Sequence, residues 1–166
     1  VLIMNNVHVG NYGVKAADIE SDHVKVKAVI GRNLEEKYSR FLADASLQEY
    51  FEAQQVVAID AVDTRALVAH IRTKGAMNCI VSSDETDLEV LKKQLKLVPS
   101  MDGLELASVV STKESYELGD TNSIIKIAIL DFGIKKNILN CLVERGAYVK
   151  VFNAKTSFDE LTAFNP

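Results

Sequence analysis

The chain has 166 residues, 48% of them hydrophobic and 25% charged, with a formal net charge of −4. That is apolar material for one good core, or one and part of a second. It excludes a basic nucleic-acid surface, and no apolar run approaches the roughly 18 residues of a membrane span. No secretory signal pattern opens the sequence. Val1 falls inside an apolar run with no initiator methionine, as expected of a chain cut from a longer one.

Taken in order, "VLIMNNVHV" (1–9) is apolar enough for a buried strand, and Gly10 and Gly13 break it in a loop suited to close backbone approach. "VKVKAVI" (24–30) alternates at first, as a half-buried strand does. "SLQEYFEAQQ" (46–55) predicts a short helix, with Ser46 as N-cap and Glu49 completing a capping box. Val56–Ile59 predicts a strand. Asp63 or Thr64 then caps a helix with Leu67, Val68 and Ile71 inward, Gly75 ends it, and "AMNCIV" (76–81) predicts another strand. "DETDLEVLKKQLKLV" (84–98) is an amphipathic helix with acids first and lysines late, as the helix dipole favours, and Pro99 stops it.

The stretch "SYELGDTNS" (115–123) loses apolar density and is the expected domain boundary. "IIKIAIL" (124–130) follows as a strand expected to be covered on both faces. The next helix carries Ile138, Leu139, Leu142 and Val143 on one side and closes at Gly146. "AYVKVF" (147–152) is a strand, and Ser157 with Glu160 opens a last helix. This β-α-β-α order is the opening of a doubly wound parallel sheet.

No complete active site is legible. The "DFG" at Asp131–Gly133 lacks the glycine-rich loop and H-R-D of a protein kinase, and neither a P-loop nor a dinucleotide turn is present. Asp131 is expected either to cap the free N–H groups of the next helix, beside Lys135 and Lys136 in its unfavourable first turn, or to serve an interface or anion site. Cys79 and Cys141 are far apart and outside any CxxC, and are expected to be reduced core thiols of a cytoplasmic protein. His8, His23 and His70 share no metal-ligand spacing. His70 is expected to face solvent or a neighbouring side chain. His8 is expected either to steady its turn or to make a functional contact. Asp63-Thr64-Arg65 suits a cap with an ion pair.

Three segments in order, "HVGNYGVKAADIES" (8–21), "AIDAVDTRALVAHIRTKGAMNCI" (58–80) and "LDFGIKKNILNCLVERGAYVKVF" (130–152), resemble the small subunit of carbamoyl phosphate synthetase. The resemblance runs almost from Val1 to Pro166, each piece weak alone and the ordered set specific. It implies an α/β protein: a swivelling β/β/α N-terminal domain over 1–120, its start truncated. The first β-α-β-α of a flavodoxin-like class I glutamine amidotransferase domain would follow over 123–166. It implies a glutaminase that passes ammonia to a large subunit, where ATP and magnesium make carbamoyl phosphate for arginine and pyrimidine synthesis. Glutamine and the large subunit are then the partners, with no nucleic acid and no membrane.

The family's catalytic cysteine, histidine and glutamate and its oxyanion-hole glycines are expected beyond Pro166, and a glutamine-contacting serine before Val1. No catalytic, substrate-binding or metal residue, and no cofactor, is therefore assigned to this chain, which is expected to be inactive alone. The matched positions His8, Gly10, Asn11, Gly13, Asp63, Thr64, Arg65, Asp131, Gly133, Lys135 and Asn137 are expected to shape domain and subunit contacts. Asn6-Val7 stands where the family commonly has Tyr-Pro, and Asn140 where it commonly has arginine. The alternative is a free-standing α/β interaction or small-ligand module using Asp131 as an acceptor, although a receiver's further acids are not in order.

Overall fold

The computed structural model describes residues 1–166, which divide into two compact units, Val1–Asp102 and Gly103–Pro166. Both are mixed α/β. The division falls earlier than the turn-rich stretch 115–123, which carries a paired strand of the second unit.

In the first unit, β1 (Leu2–Met4), β2 (Ala28–Gly31) and β3 (Val57–Ile59) form a parallel sheet in that order, joined by Leu2 opposite Val29 and Ala28 opposite Val57. β2 is buried along its length. The alternating residues 24–27 expected to begin this strand stay outside the ladder, and Lys25 and Lys27 are exposed. Pairing starts where the run becomes continuously apolar, as a central parallel strand covered on both faces requires.

Helix α1 (Leu47–Ala53) has the expected capping box: Ser46 Oγ accepts the Glu49 N–H at 3.1 Å, and Glu49 Oε2 accepts the Ser46 N–H at 2.7 Å. Helix α2 (Thr64–Lys74) packs near β1, with Leu67, Val68 and Ile71 half-buried and Gly75 closing it at φ 90°. Helix α3 (Leu88–Lys96) is capped by Asp87, whose carboxylate accepts the Glu89 N–H.

The strand expected at 76–81 does not form. Those residues lack regular structure and are largely exposed, with the Asn78 amide donating to the Val98 and Pro99 carbonyls at 3.0 Å. A run of strand-forming residues becomes a strand only where a partner edge receives it. Cys79 lies in this stretch and is exposed, which corrects its reading as a core thiol. Cys141 is half-buried.

In the second unit, a short α4 (Ala107–Val110) precedes β4 (Tyr116–Leu118), β5 (Lys126–Asp131), α5 (Lys136–Glu144), β6 (Tyr148–Asn153) and α6 (Phe158–Ala163). The sheet order is β4-β6-β5, with β5 parallel and β4 antiparallel to β6. Val149 and Val151 of β6 are fully buried and pack with Leu139 and Ala147, flanked by Ile127, Ile129 and Leu142. On the opposite face, the ring of Phe164 lies 5.3 Å from Tyr148 and 6.0 Å from Phe152.

The expectation that 124–130 is covered on both faces is corrected. β5 is an outer strand, half-buried along most of its length, and Ile124 before it is fully exposed. The strand of this sheet buried on both faces is the central β6, with Val149 and Val151 under Leu139 on one side and Tyr148 and Phe152 against Phe164 on the other. Helix α5 ends as its sequence requires: Gly146, at φ 83°, donates to the Val143 carbonyl and Ala147 to that of Leu142. Ser157 and Glu160 form the second capping box.

Candidate functional site

The loop from His8 to Val14 is stitched onto residues 34–47. Val9 bridges Leu34 and its carbonyl accepts the Glu35 N–H at 2.7 Å, while the Asn11 carbonyl accepts both the N–H and the hydroxyl of Ser39. Val14 exchanges backbone bonds with Asp44 and Ala45. The two glycines permit this approach. Gly10 stands at φ 97°, where a Cβ would lie 3.0 Å from the Glu35 carbonyl oxygen. Gly13 stands at φ 67°, where one would lie 2.8 Å from both Ala43 Cβ and Tyr38 Cγ.

His8 is exposed, its Nδ1 3.3 Å from Glu35 Oε1, and the same carboxylate oxygen accepts the Asn33 amide at 2.6 Å. Glu35 also borders a cleft of about 500 Å³ with Leu47, Phe51 and Ile59 among its apolar lining and Glu52 and Asp60 beside them. Its carboxylates have no lysine or arginine within the lining, so it suits a cation better than an anion. It contains no nucleophile paired with a base, and therefore no covalent or general-base chemistry follows from it.

Asp63 caps α2, its Oδ1 accepting the Ala66 N–H at 3.0 Å, and Thr64 is 2% exposed. The ion pair expected beside that cap does not form: Arg65 is exposed and lies within no salt bridge. No hydrogen bond or ion pair joins this set to the His8–Gly13 loop. His70, further along α2, faces solvent.

Asp131 ends β5 at 6% exposure. Its Oδ1 accepts the N–H groups of Gly133 and Ile134 at 2.8 and 2.9 Å, and its Oδ2 accepts that of Thr112 at 2.6 Å. The acid thus binds the N–H groups of the turn that leads into the helix. Lys135 occupies the N-cap of α5 and contributes no side-chain bond. Gly133, whose φ is 96°, folds the chain back early, so that the first N–H groups within reach of Asp131 precede the helix. Lys135, Lys136 and Asn137 are exposed at the start of α5. Burial, and then the Asp131 charge, push the Tyr116 hydroxyl above its ordinary range.

Three residues the sequence reading passed over complete this network. Asn153, opposite Asp131 in register, donates its amide to the Thr112 carbonyl at 2.6 Å, and Ser111 Oγ accepts the Ala154 N–H at 2.9 Å. Their separations along the chain, up to 43 positions, leave no local signal. Nowhere do three or more His, Cys, Asp or Glu side chains converge to hold a metal ion.

Residues 1–81 match the family model described as "Carbamoyl-phosphate synthase small chain, CPSase domain". The whole chain is 36% identical over 166 residues to the carbamoyl phosphate synthase small chain of Chlorobaculum tepidum, covering 45% of that protein. The small chain of a Synechococcus species is 37% identical over 169 residues, with 95% of this chain and 43% of the relative covered. That of Vibrio cholerae is 34% identical over 182 residues, covering 100% and 48%. The chain spans less than half the length of these curated relatives.

Proposed function

We propose that the chain belongs to the carbamoyl phosphate synthase small-chain family, which it matches along its whole length, and that it is part of a glutaminase subunit. In this reading the intact subunit hydrolyses glutamine in the cytoplasm. It delivers the ammonia to a large subunit, which uses ATP and magnesium to form carbamoyl phosphate for arginine and pyrimidine synthesis. Residues 1–120 then correspond to the family's swivelling β/β/α domain. Residues 123–166 correspond to the first β-α-β-α of its flavodoxin-like class I amidotransferase domain.

The observation that carries the reading is the match along the entire chain to proteins of one name. The parallel β5–α5–β6 unit agrees with it, since such a unit begins an amidotransferase sheet. The polypeptide itself does not hydrolyse glutamine. Amide hydrolysis by a thiol needs a cysteine activated by a neighbouring base. Here Cys79 is an exposed loop residue and Cys141 sits in mid-helix, and neither pairs with a histidine. His8 and His23 are engaged instead by Glu35 and Asp22.

Two measurements on the purified chain test this. Glutamine-dependent ammonia release is expected to be absent, and its detection overturns the assignment of inactivity. Co-elution with a carbamoyl phosphate synthase large subunit at micromolar concentration is expected, and separate elution overturns the partner assignment.

A further inference from the structure

At the carboxyl ends of β5 and β6 the second unit is crossed by its own residues 110–112. Asp131 and Asn153 face each other as the last residues of the two strands, and both grip Thr112. Asp131 takes its N–H at 2.6 Å and Asn153 holds its carbonyl at 2.6 Å. Ser111, 8% exposed, accepts the Ala154 N–H just beyond β6. The side chain of Val110 lies over Gly133, where a Cβ would approach its Cγ2 to 3.2 Å. Both backbone groups of one residue are thus satisfied by two side chains in matched register. In open parallel α/β sheets the crevice outside the strand carboxyl ends is where ligands bind. Here the chain fills it.

We infer that residues 107–112 form a strap closing this crevice, with Asp131 and Asn153 as its clasp, and that the strap opens separately from the sheet beneath. Two features set the strap apart from the core. Helix α4 is only four residues long, its first turn held by the Glu105 carboxylate accepting the Ser108 N–H at 2.8 Å, and Leu106 and Val109 around it are 45% and 76% exposed, so little apolar burial retains it. The sheet under it is anchored by Val149 and Val151, both fully buried. Moreover, when Thr112 departs, Asp131 keeps the N–H groups of Gly133 and Ile134, so the buried carboxylate is not stripped of donors. Opening then uncovers an acceptor from Asp131 beside a donor from Asn153, at the end of the two parallel strands.

Residue-resolved native-state hydrogen exchange on the full chain tests this. In the unmodified protein the Thr112 amide is expected to exchange at least about tenfold faster than those of Val149 and Val151, with no dependence on low denaturant, the mark of local opening. Ser111→Ala and Asn153→Ala are each expected to speed Thr112 exchange about tenfold, the effect of one lost hydrogen bond, leaving Val149 and Val151 unchanged. Exchange of Thr112 in one cooperative step with Val149 and Val151 overturns the strap, as does equal acceleration of all three in the variants. Should Asn153→Ala fail to fold, Ser111→Ala, which leaves the strand-end pair intact, decides alone.

Discussion

Glu117 on β4 and Lys150 on β6 stand directly opposite each other across the antiparallel pair, joined by a 2.8 Å contact from Lys150 Nζ to Glu117 Oε1. The other carboxylate oxygen accepts the Tyr148 hydroxyl. The hydrogen bond from Lys150, followed by that from Tyr148, holds the Glu117 carboxyl below its ordinary 4.5. Because the folded value is the lower one, the contribution is present above 4.5 and is lost as pH falls through the folded value. Urea unfolding followed against pH should show the unmodified chain more stable than Glu117→Gln at neutral pH, with the gap closing in acid. A gap independent of pH would refute this linkage.

The same bond acts on its donor. The Glu117 hydrogen bond raises the Tyr148 hydroxyl above 10.0, as burial and Asp131 raise that of Tyr116. An alkaline spectrophotometric titration of the five tyrosines should therefore show a lagging fraction. Glu117→Gln should bring Tyr148 back toward the others and leave Tyr116 late. Uniform ionisation of all five in the unmodified chain would contradict the geometry.

Ser46→Ala should cost the protein about 1 kcal/mol, because it removes the oxygen that accepts the Glu49 N–H at the start of α1. Ser46→Thr, which keeps a hydroxyl both to accept the Glu49 N–H and to donate to its carboxylate, should recover most of that loss. The check is the unfolding midpoint of both variants in one denaturant series, and equal midpoints would count against the cap.

Features written within a few residues were the legible ones. Both capping boxes and the Asp63 cap formed where the sequence placed them, because the N–H groups they serve are three residues away. Helices α1, α2, α3, α5 and α6 and the β5-α5-β6-α6 order followed from periodicity, caps and glycine stops, whereas α4 and β4 were not expected. What was not legible depends on partners remote in the chain. The run 76–81 has a strand's composition but no edge to join. Asp131 looked like a helix cap because only the residues after it are visible locally, whereas Thr112, 19 positions earlier, takes its second oxygen. β6 rather than β5 became the more buried strand because sheet order, not apolar density, decides which strand is central.

Gly13 and Gly75 offer a paired test of close approach. Both lie at positive φ, Gly75 with an extended ψ of −179° that is essentially reserved for glycine, so alanine at either carries a backbone penalty of about 1–3 kcal/mol before any contact is counted. A Cβ on Gly13 meets Ala43, Tyr38 and the Ala45 carbonyl within 3 Å, whereas one on Gly75 meets nothing within 4 Å. Gly13→Ala should therefore be clearly the more destabilising in thermal unfolding. Equal losses would mean that the loop gives way without cost.

The thiols should separate kinetically. Cys79 is exposed and Cys141 half-buried in α5, so a thiol-specific reagent under native conditions should label Cys79 first. Unfolding should bring the two to similar rates. Faster native labelling of Cys141 would contradict the placement of residues 76–81.

β5 has one further consequence. At six residues it is twice as long as any other outer strand of the two sheets, it contains no proline, and only β6 bonds to it. Its free side carries a row of peptide groups already extended, a template that accepts any strand of suitable length. Lys126 is the one charge placed before its final acid to discourage such pairing. A strand from another molecule can therefore lengthen this sheet through backbone bonds alone, whatever side chains it carries.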